Sequence, residues 1–177
     1  MAGEHRKAHA RRVVSGLDEN GKSTVVSDEN TSTRLAAEGF TVCDIWQVTG
    51  LPTKAAADTT LTREVVLDPP LAGFTYRVTT FPPDSEWDPA ASYQDSLAAM
   101  GGADAHVADD SGIPGLHQTD TVDVITVLSG ELYAVLESGE AHLRPGDSFV
   151  QRGTKHSWSN RGDVPCRIVT VQMGATR

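Results

Sequence analysis

Cysteine is nearly missing from this chain. There are two in 177 residues, Cys43 and Cys166, each inside a predicted strand (41–48 and 166–172), which argues against a disulfide framework and for two small buried hydrophobes. Aromatic residues are also sparse, at 6%, within a hydrophobic content of 38%. No apolar run approaches the length of a membrane span, and the basic N-terminus lacks the apolar stretch of a signal peptide, so the chain reads as cytoplasmic. Basic residues are the minority charge: 15 Lys and Arg stand against 24 Asp and Glu, for a net charge of −9 and a pI near 5.0. Nucleic acid and anionic membrane are thereby excluded as partners, since both demand a basic face to replace counterions. Repeats, low-complexity tracts and a second domain are lacking as well. A chain of this length buries about two-thirds of its surface and needs neither metal nor disulfide simply to fold.

What is present is a succession of short alternating strands. Residues 1–10 show no periodicity and read as a solvated tail carrying His5 and His9, with one domain over residues 11–177. Residues 12–17 and 22–27 flank Asn20-Gly21, a strong hairpin signal. Thr41–Val48 alternates as a strand; residues 54–60 are Ala-rich but short, and read as loop. Phe74–Phe81 is a strand ended by Pro82-Pro83, with Phe74, Tyr76, Val78 and Thr80 on one face and Thr75, Arg77, Thr79 and Phe81 on the other. Which face looks inward is left open. Asp88-Pro89 starts a helix and Gly101-Gly102 stops it. Its stripe Tyr93, Leu97, Met100 packs on a core, with a lid over a site as the sharper alternative. Asp104, Asp109 and Asp110 are expected in a solvated loop, and His106 and His142 in a loop and on the surface.

The segment 117–160 organises the rest. Residues 123–128 and 132–136 form a hairpin about Ser129-Gly130. From Leu143, a Pro-Gly-Asp turn, a second strand and a Gly-containing bend lead to His156, Trp158 and Asn160. This is how a small antiparallel barrel presents a polar side chain inward. The spacing of these residues resembles the cupin superfamily. Gly130 closes a first motif in which His117 and Thr119 occupy the His-x-His positions and Asp123 the glutamate position. Gly146, Gly153, His156 and Asn160 follow the second motif, with Arg152 where the family has proline; fifteen residues separate Gly130 from Gly146, as in compact cupins. The resemblance implies an all-β fold, an antiparallel jelly-roll barrel with an N-terminal hairpin extension and one short helix. It also implies a homodimer joined through the leading strands.

Alternation places His117, Thr119, Thr121, Asp123, Ile125 and Val127 on one face. In the cupin register that face points into the barrel, where His156 and Trp158 meet it. Two imidazoles and a carboxylate in an otherwise apolar cavity, lined by Ile125, Val127 and Trp158, suit shifted pKa values and proton transfer. His117, Asp123 and His156 then form an acid–base set in which Asp123 fixes a histidine tautomer, for isomerisation, dehydration, cyclisation or decarboxylation of a small carbonyl-bearing metabolite. Small cupins of this kind accompany secondary-metabolite pathways, as the resemblance suggests. The same three residues are also a facial-triad ligand set for a divalent metal, Fe, Mn, Ni or Zn, which gives an oxygenase as the alternative; Gln151 is a further candidate donor. Thr119, a neutral hydroxyl, counts against a metal. Arg77, if inward, anchors a substrate oxygen, and Tyr76 replaces it if the register is reversed. The third alternative is a barrel that binds a ligand without converting it. Asn160-Arg-Gly162-Asp163 reads equally as turn chemistry.

Overall fold

Alternation of apolar and polar residues sets eleven strands in the computed structural model, which describes residues 2–107 and 111–177. They are β1 (Arg11–Leu17), β2 (Ser23–Asn30), β3 (Arg34–Ala36), β4 (Thr41–Val48), β5 (Phe74–Phe81), β6 (Thr121–Ser129), β7 (Leu132–Leu136), β8 (Gly139–Leu143), β9 (Ser148–Arg152), β10 (His156–Ser159) and β11 (Cys166–Gly174). Among the described residues a single α-helix, α1 (Pro89–Ala98), interrupts them. Strand makes up 43% of the described residues and helix 12%, so the expected all-β class is observed. A six-stranded sheet in the order β3-β4-β5-β11-β6-β9 faces a three-stranded sheet in the order β10-β7-β8, and β1-β2 forms a separate ribbon.

The pairing within the large sheet is antiparallel and places residues 121, 123, 125 and 127 inward, as the buried and exposed positions of β6 alternate. The core lies between the two sheets, where Phe81, Ile125 and Val127 meet Leu132, Ala134 and Leu143. Each of these side chains except that of Ala134 contributes about 1.5–3 kcal/mol through its removal from water. Gly130, at φ 72°, turns β6 into β7, and a Cβ there would come within 2.8 Å of the Cys166 Cα. The hairpin therefore needs glycine for both its conformation and its close approach. Both cysteines are buried and free.

The ribbon's turn is held by Asp18, whose Oδ1 accepts from the backbone N–H of Asn20 and Lys22, each at 2.8 Å. Val13, Leu17 and Val25 on this ribbon are more than half exposed. The helix begins where Asp88 and Pro89 predict, with Asp88 Oδ1 accepting from Ala90 N at 3.0 Å and Ala91 N at 3.2 Å. Asp88→Ala is expected to lower stability by about 1 kcal/mol, read as a shifted midpoint in urea at unchanged slope.

One expectation fails at the N-terminus. His5 is not solvated: Glu4–Lys7 forms a 3₁₀ turn, His5 is buried, and its Nε2 lies 3.2 Å from the carbonyl of Ala37. Four residues were too few to show a period, and only the docking of the turn on the barrel buries the ring. His9 is exposed, as expected. Asp104 lies exposed in a short 3₁₀ turn; Asp109 and Asp110 lie outside the described residues.

Candidate active site

The site is built where two strand ends meet. His117 N donates to His156 O at 2.9 Å and His156 N donates to His117 O at 3.0 Å, a directly opposed antiparallel pair. Opposed residues project their side chains to the same face of a sheet. The two imidazoles accordingly stand 4.2 Å apart, centroid to centroid. Each is anchored at Nδ1 by a carbonyl two residues before it: Gly115 O at 2.9 Å for His117, Thr154 O at 2.9 Å for His156. Gln151 Nε2 also abuts His156 Nδ1; as a donor it calls for the opposite tautomer to the one the Thr154 carbonyl favours. For His117, donation from Nδ1 leaves the lone pair on Nε2.

The two rings line a cavity of about 80 Å³ together with Thr119, Asp123, Ile125 and Trp158. Six of the residues expected to form the site are thus found around one space. Thr119 shares a hydrogen bond with Thr121, Oγ1 to Oγ1, at 2.8 Å. Val127 is buried in the core and does not reach the cavity: the strand carries it one pleat deeper than Ile125.

The open question about β5 resolves toward Arg77, which is buried and lines the cavity. Tyr76 points outward and is 36% exposed, so its expected place at the substrate is corrected by strand alternation. Arg77 is not a free anchor either. Its Nε stands 3.0 Å from Asp44 Oδ1, and its Nη2 donates to Val66 O at 2.7 Å and to Asp44 Oδ2 at 3.4 Å. Only Nη1, with a long contact of 3.4 Å to Leu67 O, has capacity to spare.

Asp123 departs from its expected role as well. Both histidines take their Nδ1 partners from the backbone and Gln151, so Asp123 fixes neither tautomer. Its Oδ1 is buried with no hydrogen-bond partner among the described residues. The metal alternative meets the same geometry. Among the described residues no three His, Cys, Asp or Glu side chains converge closely enough to hold an ion, and the position two after His117 offers only the Thr119 hydroxyl. His117, Asp123 and His156 share the cavity without forming one coordination sphere, so the donor set as placed does not fit a resident Fe, Mn, Ni or Zn ion.

Two contributors escaped the sequence. Tyr93 of α1 is buried and its ring lies 5.8 Å from that of His117; its stripe-mates Leu97 and Met100 line the same cavity. The helix is both core packing and cavity wall, two alternatives the helical period alone treats as one. Gly115, at φ 68°, leaves room for that ring, since a Cβ there would fall 2.3 Å from Tyr93 Cγ. His106, expected as a bare loop residue, pairs through the backbone with His117 and has a buried Nδ1 without a hydrogen-bond partner among the described residues. No periodicity in the sequence marked it. His142, as expected at the surface, is half-buried and pairs with Glu131 at 2.8 Å. Asn160 is turn chemistry: fully buried, it donates to Phe81 O and Val164 O and accepts from Gly162 N at 3.0 Å.

Burial dominates the electrostatics. It pushes His117 down to about 4, partly opposed by the Gly115 carbonyl, and His156 down to about 3, helped by its neighbour His117. It pushes Asp123 up to about 6 against the pull of the Thr121 hydroxyl and of Arg77. Unfolded histidines take up protons below 6.5 while the folded ones stay neutral, so stability is lost as the pH falls from 6.5 toward 4. Asp123 acts in the opposite sense, holding its proton in the fold between 3.8 and about 6, so its share is lost as the pH rises through that window. Two histidines outweigh one aspartate. Unfolding free energy is expected to drop by about 2 kcal/mol between pH 7 and pH 5, measured by urea denaturation at the two values.

Residues 106–172 match the sequence model of the family described as Cupin domain. This segment is a cupin domain. Over 62 residues this cupin is 45% identical to the phomopsin biosynthesis cluster protein C' of Diaporthe leptostromiformis, covering 34% of this chain and 33% of that protein. Over 60 residues it is 42% identical to the cupin-domain-containing oxidoreductase fogC of Aspergillus ruber, covering 32% of this chain and 30% of that one. The match spans about a third of the length of these curated relatives. Among solved structures it is similar to the Cnp3 cupin domain of Schizosaccharomyces pombe, with a TM-score of 0.45 and 11% identity over 93% of this chain and 87% of that one. No helix among the described residues of this cupin is long and apolar enough to cross a membrane.

Proposed function

We propose that this cupin is an enzyme of secondary metabolism that moves a proton on a small carbonyl-bearing metabolite, without change of oxidation state. The observation that carries the proposal is the opposed His117–His156 pair, 4.2 Å apart in a buried cavity with each Nδ1 held from behind. Rings depressed to about 4 and 3 are neutral at pH 7, so an imidazole lone pair is available to accept a proton. In this scheme one imidazole takes a proton from the carbon beside the carbonyl and returns it at another atom. The outcome is isomerisation, or dehydration where a hydroxyl leaves as water. Among the described residues, Arg77 Nη1 is the one charged donor at the wall with room for the developing oxyanion. A cavity this small admits a short metabolite, or the end of a longer one.

The test is deuterium uptake by small ketones in D₂O, followed by NMR. Exchange at the carbon beside the carbonyl, above the buffer rate, is the expected result; its absence across a panel of amino-, hydroxy- and alkyl-ketones overturns the scheme. The names of the fungal relatives, oxidoreductases among them, favour a second reading as an oxidoreductase. Oxygen uptake during turnover, with a product two electrons more oxidised than its substrate, would establish that reading instead.

A further inference from the structure

Four inward-facing polar residues stand side by side across the large sheet. Thr75 on β5 opposes Gln172 on β11, Gln172 opposes Asp123 on β6, and Asp123 opposes Gln151 on β9. All four are at least nine-tenths buried. The outer two are satisfied by the protein itself. Thr75 Oγ1 accepts from Gln47 Nε2 at 3.0 Å, while Gln151 donates to Thr154 O at 2.6 Å and its Oε1 accepts from Thr154 Oγ1 at 2.9 Å. The inner two are not: Asp123 Oδ1 and Gln172 Oε1 are buried acceptors with no hydrogen-bond partner among the described residues. Both residues line the cavity that holds the histidine pair.

Buried polar atoms are nearly always hydrogen-bonded, so two bare acceptors on neighbouring strands of one cavity wall call for a donor from outside the chain. Opposed residues carry their Cβ atoms about 4.5–5.5 Å apart, close enough for one small group to reach both oxygens. A hydroxyl brings one hydrogen; a carboxylate brings none and is repelled. An ammonium brings three, together with the charge that an ionised Asp123 requires. Arg77 pulls on Asp123 only from a distance, because its direct ion pair is with Asp44. Asp68, whose charge also acts on Asp123, adds to the negative potential there.

We propose that Asp123 and Gln172 form a subsite that binds the primary ammonium group of the substrate, an aminoketone whose carbonyl end lies at the histidine pair. This rests on the proton-transfer reading above for the carbonyl end only. Aminoacetone, hydroxyacetone and butanone have the same heavy-atom count and differ in carrying an ammonium, a hydroxyl or a methyl group. In ligand-observed NMR titrations at pH 7, aminoacetone is expected to bind about tenfold more tightly than butanone, with hydroxyacetone between them. Asp123→Asn, nearly isosteric, and Gln172→Leu, which deletes a bare buried acceptor and should melt no lower than the native protein, are each expected to cut that preference to less than about threefold. Equal binding of butanone and aminoacetone by the native protein overturns the subsite, as does a preference that survives in both variants. Amine preference without proton exchange would sink the catalytic scheme and leave the subsite standing; exchange without amine preference would do the reverse.

Discussion

His117→Gln and His156→Gln each lower proton exchange on a responsive ketone by about 10²- to 10⁴-fold, the usual worth of a positioned general base. Glutamine keeps a polar group of similar reach but removes the basic lone pair, so the loss reports chemistry and not space. The backbone pair between residues 117 and 156 uses only main-chain atoms and persists in both variants. Their stability at pH 5 should rise relative to the native protein, because each variant deletes a buried ring that resists protonation there. Exchange rates from NMR, set beside urea midpoints at pH 5 and pH 7, check both halves. Variants as active as the native protein would remove the histidines from the mechanism, and variants equally acid-sensitive would show that the rings are not the groups that titrate.

The second large effect lies beneath the cavity. Asp44→Ala is expected to destabilise the fold by about 3–5 kcal/mol, since it strands the Arg77 guanidinium in the interior. The two side chains are 2% and 6% exposed. Burial raises the Asp44 carboxyl above its ordinary value although Arg77 pulls it down, so desolvation outweighs attraction and the pair itself adds little net stability. Breaking it is another matter. Arg77 also donates to Val66 O, tying that loop to β5, so a stranded guanidinium loosens the cavity wall as well. A double variant, Asp44→Leu with Arg77→Met, is expected to recover most of the loss because it leaves no unpaired charge. Guanidinium melts of the single and double variants form the test; a single variant within about 1 kcal/mol of the native protein would mean that the charge reaches water.

Two of the corrections to the site have a common cause. Strand alternation is a local rule, and it put Asp123 and Ile125 on the inward face of β6, and Thr119 just ahead of it, at the cavity without error. It is silent on how far apart two inward residues of one strand remain. His117 and Asp123 are six positions apart along an extended segment, so both reach the cavity without meeting. The same rule offers two faces for β5 and does not choose between them, and the choice of Arg77 over Tyr76 belongs to the packing of β5 beside β4 and β11. The Gln172–Asp123 opposition was unreadable for another reason. It joins residues almost fifty positions apart, and the register of β11 on β6, with its irregularity between Arg167 and Ile168, is a property of the folded sheet.

Local chemistry by itself determined the ribbon turning at Asn20-Gly21, the capped helix after Asp88 and the glycine at 130, because each depends on a few neighbouring dihedrals and side chains; the resemblance to cupins, also read from the sequence, supplied the all-β class and the two histidines worth watching. Tertiary structure alone decided that those histidines are direct cross-strand partners, that Asp44 occupies Arg77, that Tyr93 closes one wall and that two acceptor oxygens lie bare beside each other. These depend on register and burial, which are settled only when distant strands compete for the same hydrogen bonds and the same space away from water.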